Sequence, residues 1–316
     1  MIASALVGGV GSVSASRPAD TWIASTLRAG ETVSTRALVS TSSRGTQTWS
    51  ARGACSVSGT TLRVRQSGSC SLTVRIAGSP ARTLSRTIPV RREREINVLA
   101  AASLTRAFEK IADDFSRRQR HISATLTFAG SSALATQVRN GAPVDVVALA
   151  DTETMDSLSS AGAVRKVQTF ARNRLAILTA KNNPRRITNL RDLARSSLTV
   201  VMCDSAQPCG RYADEILERA GVAVSVASRE SSVAGVITRL QTGEADAGIG
   251  YVSDAATNSN ISMVTIPSAS NVTATYPIAV ATDPASGDPA LGRAFVSFVL
   301  SKAGQRHLIT SGFIAS

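Results

Sequence analysis

From Ile96 onward, apolar runs of strand length alternate with stretches whose apolar residues recur every three or four positions. The runs Ile96–Ala101, Ser123–Phe128, Val144–Leu149, Arg174–Thr179, Leu198–Met202, Val222–Ala227 and Ala247–Tyr251 read as strands. After the first of them, Leu104, Ala107, Phe108, Ile111, Ala112 and Phe115 fall on one face of a helix. Helices fill most of the other gaps. This alternation predicts an α/β fold of mainly parallel sheets covered by helices. The stretch 96–316 is long for one such unit, and two lobes with a cleft between them fit it. Residues 17–92 follow another rule. Thr61-Leu62-Arg63-Val64-Arg65 and Ser71-Leu72-Thr73-Val74-Arg75 alternate strictly, with Gly, Ser and Pro at short intervals. That is the pattern of half-buried strands in a small all-β sandwich. A charged linker at 93–95 separates the two regions.

Composition refines this picture without redirecting it. Of the 316 residues, 43% are hydrophobic and only 4% aromatic, so the cores are built from aliphatic side chains. The net charge of +13 suggests a polyanion partner. Its distribution argues against nucleic acid as that partner. Residues 1–95 hold 13 Arg, no Lys and 4 acids, whereas the remainder is close to balanced. No nucleic-acid-binding motif accompanies the arginines. Four cysteines fall in two local pairs, Cys55 with Cys70 and Cys203 with Cys209. Paired spacing suits disulfides in an oxidising compartment. The alternative, a metal site, lacks nearby histidines, since only His121 and His307 exist; both read as surface residues. Residues 1–16 are small and apolar, as in the remnant of a signal peptide, and too short to span a membrane.

Four strand-to-helix junctions share small or hydroxyl residues just before the helix. They are Ala100-Ala101-Ala102-Ser103-Leu104, Phe128-Ala129-Gly130-Ser131-Ser132, Gln207-Pro208-Cys209-Gly210 and Glu230-Ser231-Ser232-Val233-Ala234. A helix N-terminus presents unpaired N–H groups and a partial positive charge. Small side chains let an anion approach that backbone, and several such ends facing one cleft bind an oxyanion without a formal cation. Each junction alone is ordinary N-capping, so the pattern gives an anion or polar ligand and leaves its identity open. Gly141, Gly221 and Gly243 stand where three of these helices should stop. No hydrolase, nucleotide-binding or zinc-protease motif is present, and no cofactor is implied.

The run Ile96-Asn-Val-Leu-Ala-Ala-Ala-Ser103-Leu-Thr, then Phe128-Ala-Gly-Ser131-Ser, resembles the periplasmic molybdate-binding proteins of ABC transporters. So do Gly141-Ala-Pro143-Val-Asp145-Val, Ala150-Asp151 and Gly248-Ile-Gly-Tyr251-Val-Ser-Asp254-Ala. The resemblance runs from about 96 to 314. It implies the two-lobed periplasmic binding-protein (type II) fold, with lobe 1 at about 96–173 and 278–316 and lobe 2 at about 174–277. It implies hinge motion about crossover strands near Arg174–Leu178 and Pro277–Ala281. The implied ligand is molybdate or tungstate, and the implied partner is the membrane part of an ABC transporter, served by an extracytoplasmic monomer. The implied contacts are Ser103 and Ser131 through hydroxyl and amide, the amides of Cys209 and Val233, and the Tyr251 hydroxyl. Cys209 departs from the family's usual Ala but keeps the N–H. A Cys203–Cys209 disulfide would fix that junction. Gly130, where some relatives carry Ser, is expected to affect no contact. Asp145 and Asp151 are expected to fix strand ends and inter-lobe contacts, and Tyr212 to pack within a helix.

Around Trp49, Cys55 and Cys70 the N-terminal region resembles bacterial Ig-like modules. A plain spacer and a basic face for anionic cell-envelope polymers or lipids are both compatible with it. Two other readings of the chain compete: a binder of sulfate, thiosulfate or another oxyanion, and an adhesion or signalling protein that reuses the fold. An enzyme fits least.

Overall fold

The structure, a computed structural model, describes residues 21–41, 45–78, 80–91, 94–119 and 122–315. The expected signal remnant at 1–16 and His121 lie outside them. The chain forms two compact units, one ending at Glu93 and one beginning at Arg94.

The first unit is all-β. Its strands are β1 (Thr21–Trp22), β2 (Leu27–Arg28), β3 (Thr32–Ser34), β4 (Val39–Ser40), β5 (Gln47–Gly53), β6 (Cys55–Ser58), β7 (Thr61–Val64), β8 (Gly68–Ile76) and β9 (Arg82–Arg91). They build a four-stranded sheet in the order β2-β9-β8-β5, a three-stranded sheet β3-β7-β6 and a small β1-β4 ribbon. Alternation works as expected: Leu72, Val74 and Ile76 of β8 are buried while Ser71 and Arg75 are exposed. Cys55 and Cys70 are bonded. They do not sit in paired strands of one sheet; the bond links the three-stranded sheet to the four-stranded one.

The second unit alternates strands and helices. In order these are β10 (Arg94–Ala101), α1 (Thr105–Arg118), β11 (Ile122–Ala129), α2 (Ser131–Arg139), β12 (Val146–Ala148), α3 (Thr152–Ser160), β13 (Val164–Ala180), β14 (Val200–Cys203), α4 (Pro208–Ala220), β15 (Val226–Glu230), α5 (Val233–Thr242) and β16 (Ala247–Tyr251). Then follow α6 (Val252–Ala256), β17 (Ile261–Thr265), β18 (Thr273–Ala281), α7 (Pro289–Leu300), α8 (Lys302–Thr310) and β19 (Ile314–Ala315). Arg94 and Glu95, expected in the linker, pair with Ile122 and Ser123 as the start of β10.

Two half-sheets share β13. On one side run β11-β10-β12-β18, with β10 parallel to β11 and β12. On the other run β16-β14-β15, with β14 parallel to β15 and β16. Strand β13 crosses between them: Val164–Arg174 pair with β18, Leu175–Thr179 pair with β16, and Ala176–Ala180 pair with β17. The first crossing therefore lies at Arg174–Leu175. The return crossing lies before Thr273 rather than at Pro277–Ala281, because Thr273–Pro277 already pair with Thr169–Arg174. Two further strand expectations shift. The exposed, bulged first half of β13 has no apolar alternation to mark it. Val222 does not start a strand, because its N–H still closes α4 on the Leu217 carbonyl at 3.0 Å. Two of the three expected helix stops are left-handed C-caps, Gly221 and Gly243, and Gly141 follows the C-cap Asn140 of α2 with positive φ.

Candidate functional site

The five implied contact residues come from five elements and line one small void. Ser103 follows β10 in a 3₁₀ turn; Ser131 opens α2; Cys209 is the second residue of α4; Val233 opens α5; Tyr251 ends β16. All five border the same cavity, together with Gly130, Gln207 and Ser232. They stand at the carboxyl ends of their strands, where open α/β sheets leave a crevice. No lining residue is charged. The void is narrow, and beside it the two lobes meet where Ser132 of α2 hydrogen-bonds Ala206 and Gln207.

The donors are poised. The Ser131 hydroxyl accepts from the Ala150 N–H at 3.1 Å, so its own proton is left to donate into the void. The Ser103 hydroxyl lies 3.0 Å from the Tyr276 hydroxyl. With Tyr276 donating, Ser103 also keeps its proton for the void. The Tyr251 hydroxyl is buried and has no hydrogen-bond partner among the described residues, a state that costs ~1–3 kcal/mol unless a ligand relieves it. Burial pushes both phenols well above the usual tyrosine range, so both remain neutral donors.

The implied Cys203–Cys209 bond is formed, which ties the start of α4 to the end of β14. Across the cleft, Ser132 Oγ donates to the Ala206 carbonyl, and Gln207 Oε1 accepts from the Ser132 N–H at 3.3 Å. Arg211 of α4 pairs with the buried Asp151 at the start of α3, and with Glu153 at 3.3 Å. Asp151 also caps α3 by accepting from Thr154 N–H at 2.8 Å; burial raises its carboxyl even with Arg211 beside it. Asp145, just before β12, accepts from the N–H groups of Asn97 within β10 and Ser286 beyond β18, at 2.8 and 2.9 Å. Tyr212 is half-buried on α4, and burial lifts its hydroxyl to about 12. His307 is not simply a surface residue: it is half-buried, with Nε2 3.2 Å from Asp114.

Three features escaped the sequence. Tyr276 has no local motif; only the packing of β18 brings its hydroxyl to Ser103. Gln207 belongs to the third junction, but its contact with the Ser132 N–H of α2 leaves no mark in the sequence. Gly130 is not neutral. A Cβ there would lie 2.4 Å from the Ser231 carbonyl oxygen and 2.3 Å from Gln207 Oε1.

Residues 96–314 match the family described as bacterial extracellular solute-binding protein. The chain is a member of that family. The molybdate-binding protein ModA of Mycobacterium tuberculosis is 41% identical over 227 residues, covering 71% of this chain and 86% of that protein. The namesake from Escherichia coli is 32% identical over 200 residues, covering 60% and 77%. A solved periplasmic molybdate-binding protein from Azotobacter vinelandii superposes with a TM-score of 0.63 at 19% identity, covering 70% of this chain and all but 1% of that one. The second unit of this solute-binding protein therefore has the periplasmic binding-protein type II fold. A solved sulfate-binding protein of M. tuberculosis shares the fold with a TM-score of 0.59 at 16% identity, so the fold leaves the ligand open. A solute-binding protein captures its ligand and does no chemistry on it; it is not an enzyme.

Two predictions follow from the groups around the void. In Tyr251→Phe the unpaired hydroxyl disappears. Without ligand the variant melts higher, by about 1 kcal/mol of stability, and it binds its anion roughly tenfold more weakly. A lower melting temperature, or unchanged affinity in calorimetry, contradicts this. Asp254 lies behind Tyr251, accepting its backbone N–H at 2.8 Å, and burial raises its carboxyl from 3.8 to about 7. An acid raised on folding costs stability as pH climbs between its unfolded and folded values. Asp254→Asn should gain on the native protein between about pH 4 and pH 7, and the gain should level off above. Urea denaturation at both ends of that window checks it; the same difference at each end speaks against it.

Proposed function

We propose that this protein captures molybdate or tungstate outside the cytoplasm and delivers it to the membrane subunits of an ABC transporter. The observation that carries the reading is one void bordered by Ser103, Ser131, Cys209, Val233 and Tyr251, with neutral donors and no charged side chain. Helix N-termini and hydroxyls suit a dianion held by several hydrogen bonds in a low-dielectric cleft. Several N–H and O–H donors also favour the fully ionised oxyanion, because a hydrogen bond to an ionised oxygen is the stronger one. The identity to proteins named for molybdate binding supports the choice of ion. Molybdate and tungstate are nearly the same size and sulfate is smaller, so donors that close around the larger pair reach sulfate less well.

In this reading the five residues are the ligand contacts, the protein acts as a monomer, and closure is a hinge motion about β13 and the segment before β18. The first unit is an Ig-like sandwich. Its two sheets, its inter-sheet Cys55–Cys70 bond and the half-buried Trp49 support that assignment. Titration calorimetry with molybdate, tungstate, sulfate and phosphate is the direct test. Heat is expected with the first two only. No heat with any of the four, or a preference for sulfate, overturns the reading.

A further inference from the structure

The first unit carries a charge imbalance that it cannot neutralise internally. Residues 21–91 contain ten arginines and a single acid, Glu31. That acid is engaged in its own turn, accepting the Arg28 backbone N–H at 2.6 Å. On the outer face of β5, β8 and β9, register aligns two rows across the sheet: Ser50, Thr73, Ser85 and Arg52, Ser71, Thr87. Arg75 stands in the next row, paired with Thr48 and Thr83. Every side chain in these rows is a hydroxyl or a guanidinium, and all are exposed except the half-buried Thr73. Ser71 meets Thr87, and Thr73 meets Ser85, each at 2.9 Å. Each such pair uses one hydroxyl proton and leaves another to donate outward.

We infer that this face binds an anionic polysaccharide. Guanidinium groups match the carboxylate or phosphate groups of such a chain in fork geometry. The hydroxyl rows, about 4.8 Å apart from strand to strand, offer donors and acceptors to its sugar hydroxyls. A lipid bilayer fits less well, because among the described residues of this face only Pro89 is apolar, and it is too small to anchor in one. Arginines also point outward from the other sheet, as Arg63 does on β7, which favours a flexible chain over a flat surface. Nucleic acid fits less well too. The unit's two tryptophans pack edge to face at 5.9 Å and are half-buried, so neither is a platform for bases. The inference does not depend on the anion site of the second unit.

The test uses the full chain and affinity electrophoresis with polygalacturonate, neutral dextran, duplex DNA and phosphatidylglycerol vesicles as probes. Retardation is expected with polygalacturonate and none with dextran. The double variant Arg52→Ser/Arg75→Ser should bind polygalacturonate roughly tenfold more weakly. The double variant Arg63→Ser/Arg65→Ser makes the same charge change elsewhere and should lose clearly less. Far-UV circular dichroism and a native-like resistance of the first unit to proteolysis show that each variant is folded. Equal losses in the two variants reduce the effect to net charge and overturn the inference. So do tighter binding to DNA or vesicles, equal binding to dextran, or no binding to polygalacturonate by the native protein.

Discussion

Gly130→Val should leave the protein folded and remove most of its affinity for molybdate. The backbone at Gly130 is ordinary, with φ −62 and ψ 144, so valine meets no conformational penalty there. The obstacle is on the opposite lobe. The Cβ alone would sit 2.4 Å from the Ser231 carbonyl oxygen, and valine adds two methyl groups. Gln207 can swing aside, but a backbone carbonyl at the start of α5 cannot without moving its lobe. Relief comes from opening the cleft, which separates the donors of Ser103 and Ser131 from those of Cys209 and Val233. Overpacking of this kind costs about 1–3 kcal/mol. The whole of that falls on the closed state, so affinity should drop about 10- to 100-fold. Melting without ligand should change little, and calorimetry with molybdate reports the loss. Native affinity in this variant would mean that Gly130 does not limit closure.

Ser131→Ala tests the site from the inside. The Ser131 hydroxyl holds the buried Ala150 N–H and has its own proton left for the ligand. Removing it takes away a charge-assisted hydrogen bond, ~1.5–3 kcal/mol of binding, or roughly 10- to 150-fold in affinity. It also leaves the Ala150 N–H unpaired, so ligand-free stability falls as well, by about 1 kcal/mol or more. The two losses are measured separately, by calorimetry and by thermal melting. A variant that loses stability but binds as before would make Ser131 a structural residue rather than a contact. The opposite signs expected for the ligand-free stability of Ser131→Ala and Tyr251→Phe distinguish a satisfied hydroxyl from an orphaned one.

Much of this protein was legible along the chain because its signals are local. Strand–helix alternation, glycines at helix ends and small residues before helices each depend on a few neighbouring positions, and they placed Ser103, Ser131, Cys209 and Val233 at the starts of helical turns or helices. The strict alternation of β8 likewise gave the first unit its exposed face. The first half of β13 was missed because half of it faces solvent and lacks apolar alternation.

What needed the tertiary structure is everything made by residues distant in sequence. Tyr276 reaches Ser103 across 173 positions, and Arg211 reaches Asp151 across 60. Neither pair leaves a mark in its own neighbourhood, since a hydrogen bond fixes the distance between two groups and not the identity of the residues beside them. Gly130 shows the same limit most sharply. Its sequence permits any small residue, and only the approach of the Ser231 carbonyl makes the missing Cβ necessary. The sequence by itself determined that helix N-termini with small residues would be available for an anion. That they face one void, lined by no charged side chain, was decided by the packing of two half-sheets on either side of one shared strand.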